Sequence, residues 1–501
     1  MADVLLTHSY HLPYDPKQVR KMQPYAPLGT LYAASALRAG DISVAVFDTM
    51  LEAPEPGFVN ALKQARPKIV AIYEDDFNFL SKMCLTRMRE LAWQLANEAH
   101  RAGAVVIAHG SDATDQAEAY LRNGIDYVLR GEAEQTLVEL CSAILSGSPH
   151  LNIPGLVYLD GAGGPVHNAG GTPKNASWSN LPKPARELID FEPYRRAWTE
   201  AHGHFSANVV ASRGCPYRCN WCAKPISGNK FQIRSARSVA GEIRELKEMF
   251  GVQHIWFGDD VFALNHRWVQ DFANEVEAMR CALPFKIQSR ADLMTPPTVA
   301  ALKRAGCAEI WMGAESGSQK ILNAMDKGLR VSDVVDARYR LADANIRACY
   351  FLQFGYPGET WEDIEQTIAL VRNTRPDDIG ISFSYPLPGT VFYERVQEQI
   401  GAKRNWTDSD DLCVMFRATY KDEFYKALRN ALHAEVDSWK GNDSPETPET
   451  VDTNLLWQQV LKLEPNMRNP EATTLASSVS DETGTQNLIP PHALAAAGGR
   501  I

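Results

Sequence analysis

From Val4 to Ser146 the chain alternates short, wholly apolar runs with longer segments of helical periodicity. Val4–Leu6, Val44–Phe47, Ile69–Tyr73, Val105–Ala108 and Asp126–Leu129 read as buried strands. Leu28–Ala39, Ser81–Ala102, Asp115–Asn123 and Glu134–Ser146 read as the helices between them. Strands without polar alternation, each followed by an amphipathic segment, predict a parallel doubly wound α/β sheet. In such a sheet ligands bind at the carboxyl ends of the strands.

A hairpin around DGAGGP is expected in Leu156–His167, followed by a Gly-, Pro- and Asn-rich linker. A second alternating array then begins. Its expected strands are Val209–Ser212, His254–Phe257, Lys286–Ser289, Glu309–Met312, Ala348–Leu352 and Ile379–Ser384. Thr295 is placed to cap the helix that Pro296 opens, and Thr360 with Asp363 forms a capping-box-like pair. Six βα units suit a barrel-like parallel sheet, whose working residues lie at the strands' C-terminal ends. Beyond Gly401 the pattern yields an amphipathic helix in KDEFYKALRNALHAEVDSW, an acidic linker and a tail expected to be disordered. The expected domains are therefore 1–150, a hairpin and linker over 151–205, a barrel over 206–400, and a mainly helical region over 401–501.

Composition narrows the function. The chain has 501 residues, 45% of them apolar and 22% charged, as soluble multi-domain proteins do. A net charge of −10 argues against a nucleic-acid or anionic-membrane partner. No membrane-spanning run and no signal peptide are visible, so a cytoplasmic protein is expected. In a reducing compartment clustered thiols bind metal or do chemistry. Of nine cysteines, Cys84, Cys141, Cys281, Cys307, Cys349 and Cys413 are scattered and read as small buried residues.

Cys215, Cys219 and Cys222 stand apart, in SRGCPYRCNWC, directly after the first strand of the second array. Zinc prefers four closed ligands and would need a fourth, from His202 or His204. A 4Fe-4S cluster held by three thiolates instead leaves one iron open for substrate. The spacing admits both.

SRGCPYRCNWC, with Trp221 before the last cysteine, resembles the signature of the radical S-adenosylmethionine (radical SAM) superfamily. The resemblance covers roughly residues 205–400, with further motifs in the right order. WFGDD supplies Asp259 and Asp260, QSRADL supplies Ser289 and Arg290, and MGAESGSQKILNAMDKG supplies Glu315. FLQFGYPGET supplies Gly355, Gly358 and Glu359, and SYPLPGT ends the sixth strand. The resemblance implies that Cys215, Cys219 and Cys222 hold a 4Fe-4S cluster. It implies that Trp221, Asp259, Asp260, Ser289, Arg290, Glu315, Gly355 and Gly358 surround S-adenosylmethionine on a partial (β/α)6 TIM-type barrel. Taken alone, Asp259–Asp260 also suits a helix N-terminal charge cluster, Arg290 a surface ion pair, and Glu315 a helix cap.

The first array lacks a G-x-G-x-x-G after its first strand, against a dinucleotide site. YAPLGTLYAASALRAG and DYVLRGEAEQTLVEL resemble the Rossmann-like cobalamin-binding domains fused to radical SAM enzymes. That implies cobalamin contacts from Leu28, Gly29, Tyr73, Asp75, Asp76, His109, Gly110, Gly131 and Glu132. The D-x-H-x-x-G histidine that ligates cobalt from below is absent; Ala26 stands in its place. His8 and His11 are further candidate contacts, and Ser111 replaces a usual glycine. A methylthiotransferase would need a second N-terminal cysteine triad, which this chain lacks.

Together these resemblances imply a cobalamin-dependent radical SAM enzyme. Its 5′-deoxyadenosyl radical would remove a substrate hydrogen, and an unactivated carbon of a small-molecule, lipid-, sugar- or peptide-derived substrate would be methylated. An electron donor such as flavodoxin or ferredoxin is implied. No acid–base catalytic residue is expected, because hydrogen-atom transfer needs none. Radical rearrangement, cyclisation or oxidation without methyl transfer is the alternative; a non-catalytic zinc or iron–sulfur module is the alternative from another class.

Overall fold

The computed structural model describes residues 1–78, 83, 85–170, 182–411, 413–440 and 452–472. Cys84, most of the linker after the hairpin, most of the acidic linker and the C-terminal tail lie outside them. The chain divides into two compact units. One comprises Met1–Cys215, Lys224–Asp259 and Asn405–Asp411; the other comprises Pro216–Ala223, Asp260–Arg404 and Leu412–Ile501.

The first unit is built on a seven-stranded sheet. Its strands are β1 (Val4–Thr7), β2 (Val44–Val46), β3 (Ile69–Tyr73), β4 (Val105–His109), β5 (Tyr127–Leu129), β6 (Leu156–Leu159) and β7 (Pro165–His167), in spatial order β2-β1-β3-β4-β5-β6-β7. The β1 to β5 pairings are parallel; β6 and β7, the expected hairpin, add on antiparallel. Alternate side chains of one strand enter two cores. Leu5, Val70, Ile72, Val106 and Ala108 face one way. Val4, Leu6, Ile69, Ala71 and Ile107 face the other. A sheet buried on both faces explains why its strands show no polar alternation.

Helices Leu28–Ala39 and Glu134–Ser146 have the expected bounds. The helix expected over Asp115–Asn123 is two short ones, Ser111–Asp115 and Ala117–Leu121. Gln116 between them leaves the helical region, at φ −120° and ψ 32°. Gly110, at φ +143°, turns the chain from β4 straight into the first of them. The linker region expected before the barrel also contains a helix, Glu192–His202.

The same unit carries β8 (Ser206–Val209) and β11 (His254–Phe257), which pair in parallel. Between them in sequence, β9 (Ser212–Arg213) and β10 (Gln232–Ile233) pair antiparallel. The strand expected over Val209–Ser212 therefore ends where it was expected to begin. Ala211 and Ser212 give their N–H groups to the Asp259 carboxylate, at 3.0 and 2.6 Å, instead of to a neighbouring strand.

The second unit holds β12 (Phe285–Ser289), β13 (Cys307–Glu315), β14 (Arg347–Phe354) and β15 (Asp378–Phe383), paired in parallel in that order. Helices Pro296–Ala305, Val331–Asp343 and Trp361–Thr374 connect them. Thr295 caps the first and the Thr360–Asp363 capping box opens the last, as the sequence indicates. Helices Asp422–Asp437 and Thr453–Asn466 follow. Among the described residues no helix is long and apolar enough to cross a membrane.

Candidate functional site

The cysteine loop begins where β9 ends. Gly214 stands at φ +81°, and a Cβ there would lie 2.2 Å from the Lys230 carbonyl oxygen. Only glycine fits both the conformation and the approach. Lys224 then donates to the Cys215 carbonyl at 3.1 Å. Cys215, Cys219 and Cys222 are partly exposed, whereas Cys141, Cys281, Cys307, Cys349 and Cys413 are buried. Burial pushes the Cys141 thiol up to about 12 and raises those of Cys307 and Cys349 as well. The buried thiols are inert packing; the three in the loop are reachable from solvent.

Among the described residues no group of three or more His, Cys, Asp or Glu side chains is gathered tightly enough for a single metal ion. His202 is bound to the carbonyls of Lys21 and Met22, and His204 to that of His202. Each is engaged through one ring nitrogen, and neither is gathered with the loop cysteines into a single-ion site among the described residues. In a four-iron cluster each thiolate meets a different iron, so three accessible thiols at C-x3-C-x2-C spacing suit that donor set.

Asp259 is buried, and its carboxylate accepts from the N–H groups of Ala211 and Ser212 and from the Ser212 hydroxyl. It fixes the backbone leading into the cysteine loop. Asp260 is exposed. Trp221 is partly buried, and its indole Nε1 has no hydrogen-bond partner.

In the second unit, Ser289 ends β12 and donates to the Phe262 carbonyl at 2.7 Å. Arg290 is 3% exposed, so it is no surface ion-pair residue. Its guanidinium meets both Asp292 oxygens at 3.0 Å and the carbonyls of Lys327 and Gly328 at 2.9 Å. Glu315 caps no helix. It ends β13 at φ +58°, buried, in an ion pair with Lys327 at 2.7 Å. Burial, then Glu315 and Cys222, push the Tyr385 hydroxyl's pKa up, so Tyr385 stays a neutral donor beside them.

Gly355 and Gly358 take φ +83° and +77° after β14. The Gly355 N–H donates to Glu359 at 2.6 Å, leaving the other Glu359 oxygen buried without a partner. Gln353, at the end of β14, donates to Ser384 while its own amide oxygen is also buried and unpartnered. Unpartnered buried polar atoms at a strand's carboxyl end suit a polar ligand such as S-adenosylmethionine.

In the first unit seven of the expected cobalamin residues, Tyr73, Asp75, Asp76, His109, Gly110, Gly131 and Glu132, lie at the carboxyl ends of β3, β4 and β5, and Leu28 and Gly29 open helix Leu28–Ala39. Tyr73 and His109 stack with ring centres 4.0 Å apart. Burial lowers His109 to a pKa of about 4, so its neutral ring donates from Nε2 to the Gly131 carbonyl at 2.8 Å. Asp76 lies 3.6 Å from the other nitrogen. Asp75 accepts from the N–H groups of Gly29 and Phe77, which makes it a loop brace. Leu28 packs with Tyr32, Phe77 and Val210 in a small apolar cluster. A Cβ on Gly110 would meet the Glu74 side chain at 2.8 Å, and one on Gly29 the Glu74 carbonyl at 2.8 Å.

Beyond these, Ser111 Oγ and Glu132 Oε1 are buried without partners, whereas Glu132 Oε2 accepts from Gln232. Two orphaned polar atoms at the ends of β4 and β5 suit the polar parts of a bound cobalamin. The two histidines near the end of β1 are both engaged. His8 pairs with Asp48 at 2.9 Å, and His11 Nδ1 with the Thr49 carbonyl at 2.7 Å.

Sequence reading passed over Glu74, Asp48 and Lys327. Lys327 had a usable signal, as the cation of the MDKG stretch inside a motif already singled out. Asp48 and Glu74 had none, since an acid in a βα loop is ordinary.

A cysteine loop on βα strands of this kind defines a class. Residues 209–371 match the Radical SAM superfamily and form a radical SAM domain. The likeness extends well beyond that domain. An uncharacterised methyltransferase of Pyrococcus horikoshii is 27% identical over 413 residues, 81% of this chain and 86% of the relative. Two solved structures share the fold. One is the radical S-adenosylmethionine methyltransferase TsrM from Kitasatospora setae with cobalamin and a 4Fe-4S cluster bound. It has a TM-score of 0.66, is 20% identical, and the match covers 80% of this chain and 79% of that one. The other is the cobalamin-dependent S-adenosylmethionine radical enzyme OxsB with aqua-cobalamin bound. Its TM-score is 0.69 at 16% identity, over 93% of this chain and 71% of that one.

Proposed function

We propose that this protein is a cobalamin-dependent radical SAM enzyme that methylates an unactivated carbon of a small-molecule substrate. The observation that carries the reading is the likeness to a methyltransferase along most of the chain, embracing both the cysteine loop and the doubly wound sheet before it. When bound, the three cofactors supply reductive cleavage of S-adenosylmethionine to a 5′-deoxyadenosyl radical and a methyl group for transfer.

The chain's own residues hold and shield these groups. Cys215, Cys219 and Cys222 are the cluster ligands. Trp221, Asp260, Glu315, Gly355, Gly358 and the orphaned oxygens of Gln353 and Glu359 belong to the S-adenosylmethionine site. Asp259, Ser289 and Arg290 act on it by fixing backbone. Tyr73, Asp76, His109, Gly110, Gly131 and Glu132, with Ser111, form the cobalamin site, and Leu28, Gly29 and Asp75 brace it. In this reading residues 1–150 are the cobalamin domain, 151–205 a connection, 206–400 the radical domain and 401–501 a C-terminal region. A small electron-transfer protein such as flavodoxin or ferredoxin delivers the electron in the cytoplasm.

The test uses anaerobically reconstituted protein, reduced with dithionite and given cobalamin and methyl-labelled S-adenosylmethionine. The expected result is 5′-deoxyadenosine, label on cobalamin, and no 5′-deoxyadenosine from Cys222→Ala. Unlabelled cobalamin, with 5′-deoxyadenosine still formed, would return the function to a radical rearrangement, cyclisation or oxidation. One zinc per chain with no sulfide would end the enzyme reading.

A further inference from the structure

The two faces of the second unit's sheet are buried unequally. Along β13 Ile310, Met312 and Ala314 are buried, while Trp311 and Gly313 between them are partly exposed. Along β14 Tyr350 turns to helix Trp361–Thr374 and donates to Thr374 at 3.1 Å. Its neighbour Phe351 points to the other face and is partly exposed. A parallel sheet is ordinarily buried on both faces, and the inward layers of a βα barrel are ordinarily filled by bulky branched side chains. Here the strand neighbours of Phe351 are Gly313 on β13 and Gly380 on β15. Across these three strands that layer supplies one ring instead of three side chains.

The Phe351 ring and the Trp311 indole stack, with centres 4.8 Å apart and planes at 28°. Gly380 gives them room: a Cβ there would lie 3.1 Å from the Phe351 ring and 3.3 Å from the indole. The indole is also tied down. Its N–H donates to Glu309 at 2.7 Å, and the other Glu309 oxygen meets Arg347 at 3.0 Å. The pair continues into the proposed S-adenosylmethionine site. Gln353, with its buried unpartnered oxygen, stands two residues beyond Phe351 on the same strand. A Cβ on Gly313 would meet Glu315 at 2.7 Å and Lys327 at 2.8 Å, so that ion pair closes over the next position of β13. We infer that the Trp311–Phe351 pair is the substrate seat and takes a flat, unsaturated ring system laid against it in an offset stack. The inference rests on the enzyme reading above and names its substrate class. Two fixed, partly exposed rings present flat π surface at little ordering cost, and a planar ligand gains stacking there that a saturated one does not.

The experiment dialyses full-length protein, reconstituted with iron and sulfide, to equilibrium against β-naphthol, which is planar, and against β-decalol, its saturated counterpart. Wild type should hold β-naphthol about fivefold more tightly than β-decalol. Phe351→Leu stays apolar but loses the ring, and should abolish that preference. Trp311→Phe keeps a ring and should keep most of it. The ratio of the two affinities reports stacking, because a loss of packing alone weakens both probes together. Cluster-loaded wild type with no preference for β-naphthol would overturn this inference alone. So would Phe351→Leu with the wild-type ratio and thermal midpoint, since the pair would then be packing only. Wild-type protein that takes up no iron and sulfide would overturn the enzyme reading, and the substrate seat with it.

Discussion

Glu359 ends the loop after β14 with one carboxyl oxygen bonded to the Gly355 N–H and the other buried without a partner. Burial pushes its pKa up to about 8; the Gly355 bond opposes this, Asp363 adds to it and Lys320 opposes it again. In the unfolded chain the group ionises near its usual 4.5, while in the fold it keeps its proton until about 8. Between those values the folded state binds the extra proton, so stability falls as pH rises through the window and levels off above it. Glu359→Gln keeps the acceptor for Gly355 and removes the titration. Its thermal midpoint should match wild type near pH 4.5 and exceed it by a margin that widens toward pH 8. A margin constant across that range would show that Glu359 is not held neutral. At this scale the three loop cysteines were legible from spacing alone. The work of Asp259 and Arg290 was not, because their partners are Ala211, Ser212, Lys327 and Gly328, far away in sequence.

Turns decide how the βα elements meet. After β13 the chain passes Gly317, where a Cβ would lie 2.3 Å from the Gln366 carbonyl oxygen and 2.7 Å from the Thr367 Cα. Both belong to helix Trp361–Thr374, so backbone faces backbone and neither can yield as a flexible side chain would. Thr367 also accepts the Gly317 N–H at 2.9 Å. Gly317→Ala should therefore cost about 1–3 kcal/mol by overpacking. Chemical denaturation of the purified variant, read by circular dichroism, would measure it, and an unchanged midpoint would contradict the close approach. The strands and helices themselves were readable from periodicity, and Thr295, Thr360 and Asp363 marked two helix starts. The end of β8 was not readable, since a side-chain carboxylate from Asp259 terminates it. The break at Gln116 was equally hidden, because the periodicity runs on through it.

Over the whole chain the net charge of −10 repels polyanions at long range. The protein should pass through a heparin column at physiological salt and bind an anion exchanger under the same conditions; retention on heparin would reopen a nucleic-acid partner. The order of two βα arrays and the cysteine spacing follow from the sequence by itself. They depend on neighbouring residues: periodicity, caps, and thiols a few positions apart. Tertiary structure alone decided which polar groups are committed and which remain open. Asp259, Asp75 and Arg290 are occupied with backbone. Ser111, Glu132, Gln353 and Glu359 keep buried oxygens without partners. A buried polar atom is satisfied or orphaned according to what the fold brings within about 3 Å of it, and no local pattern encodes that distance.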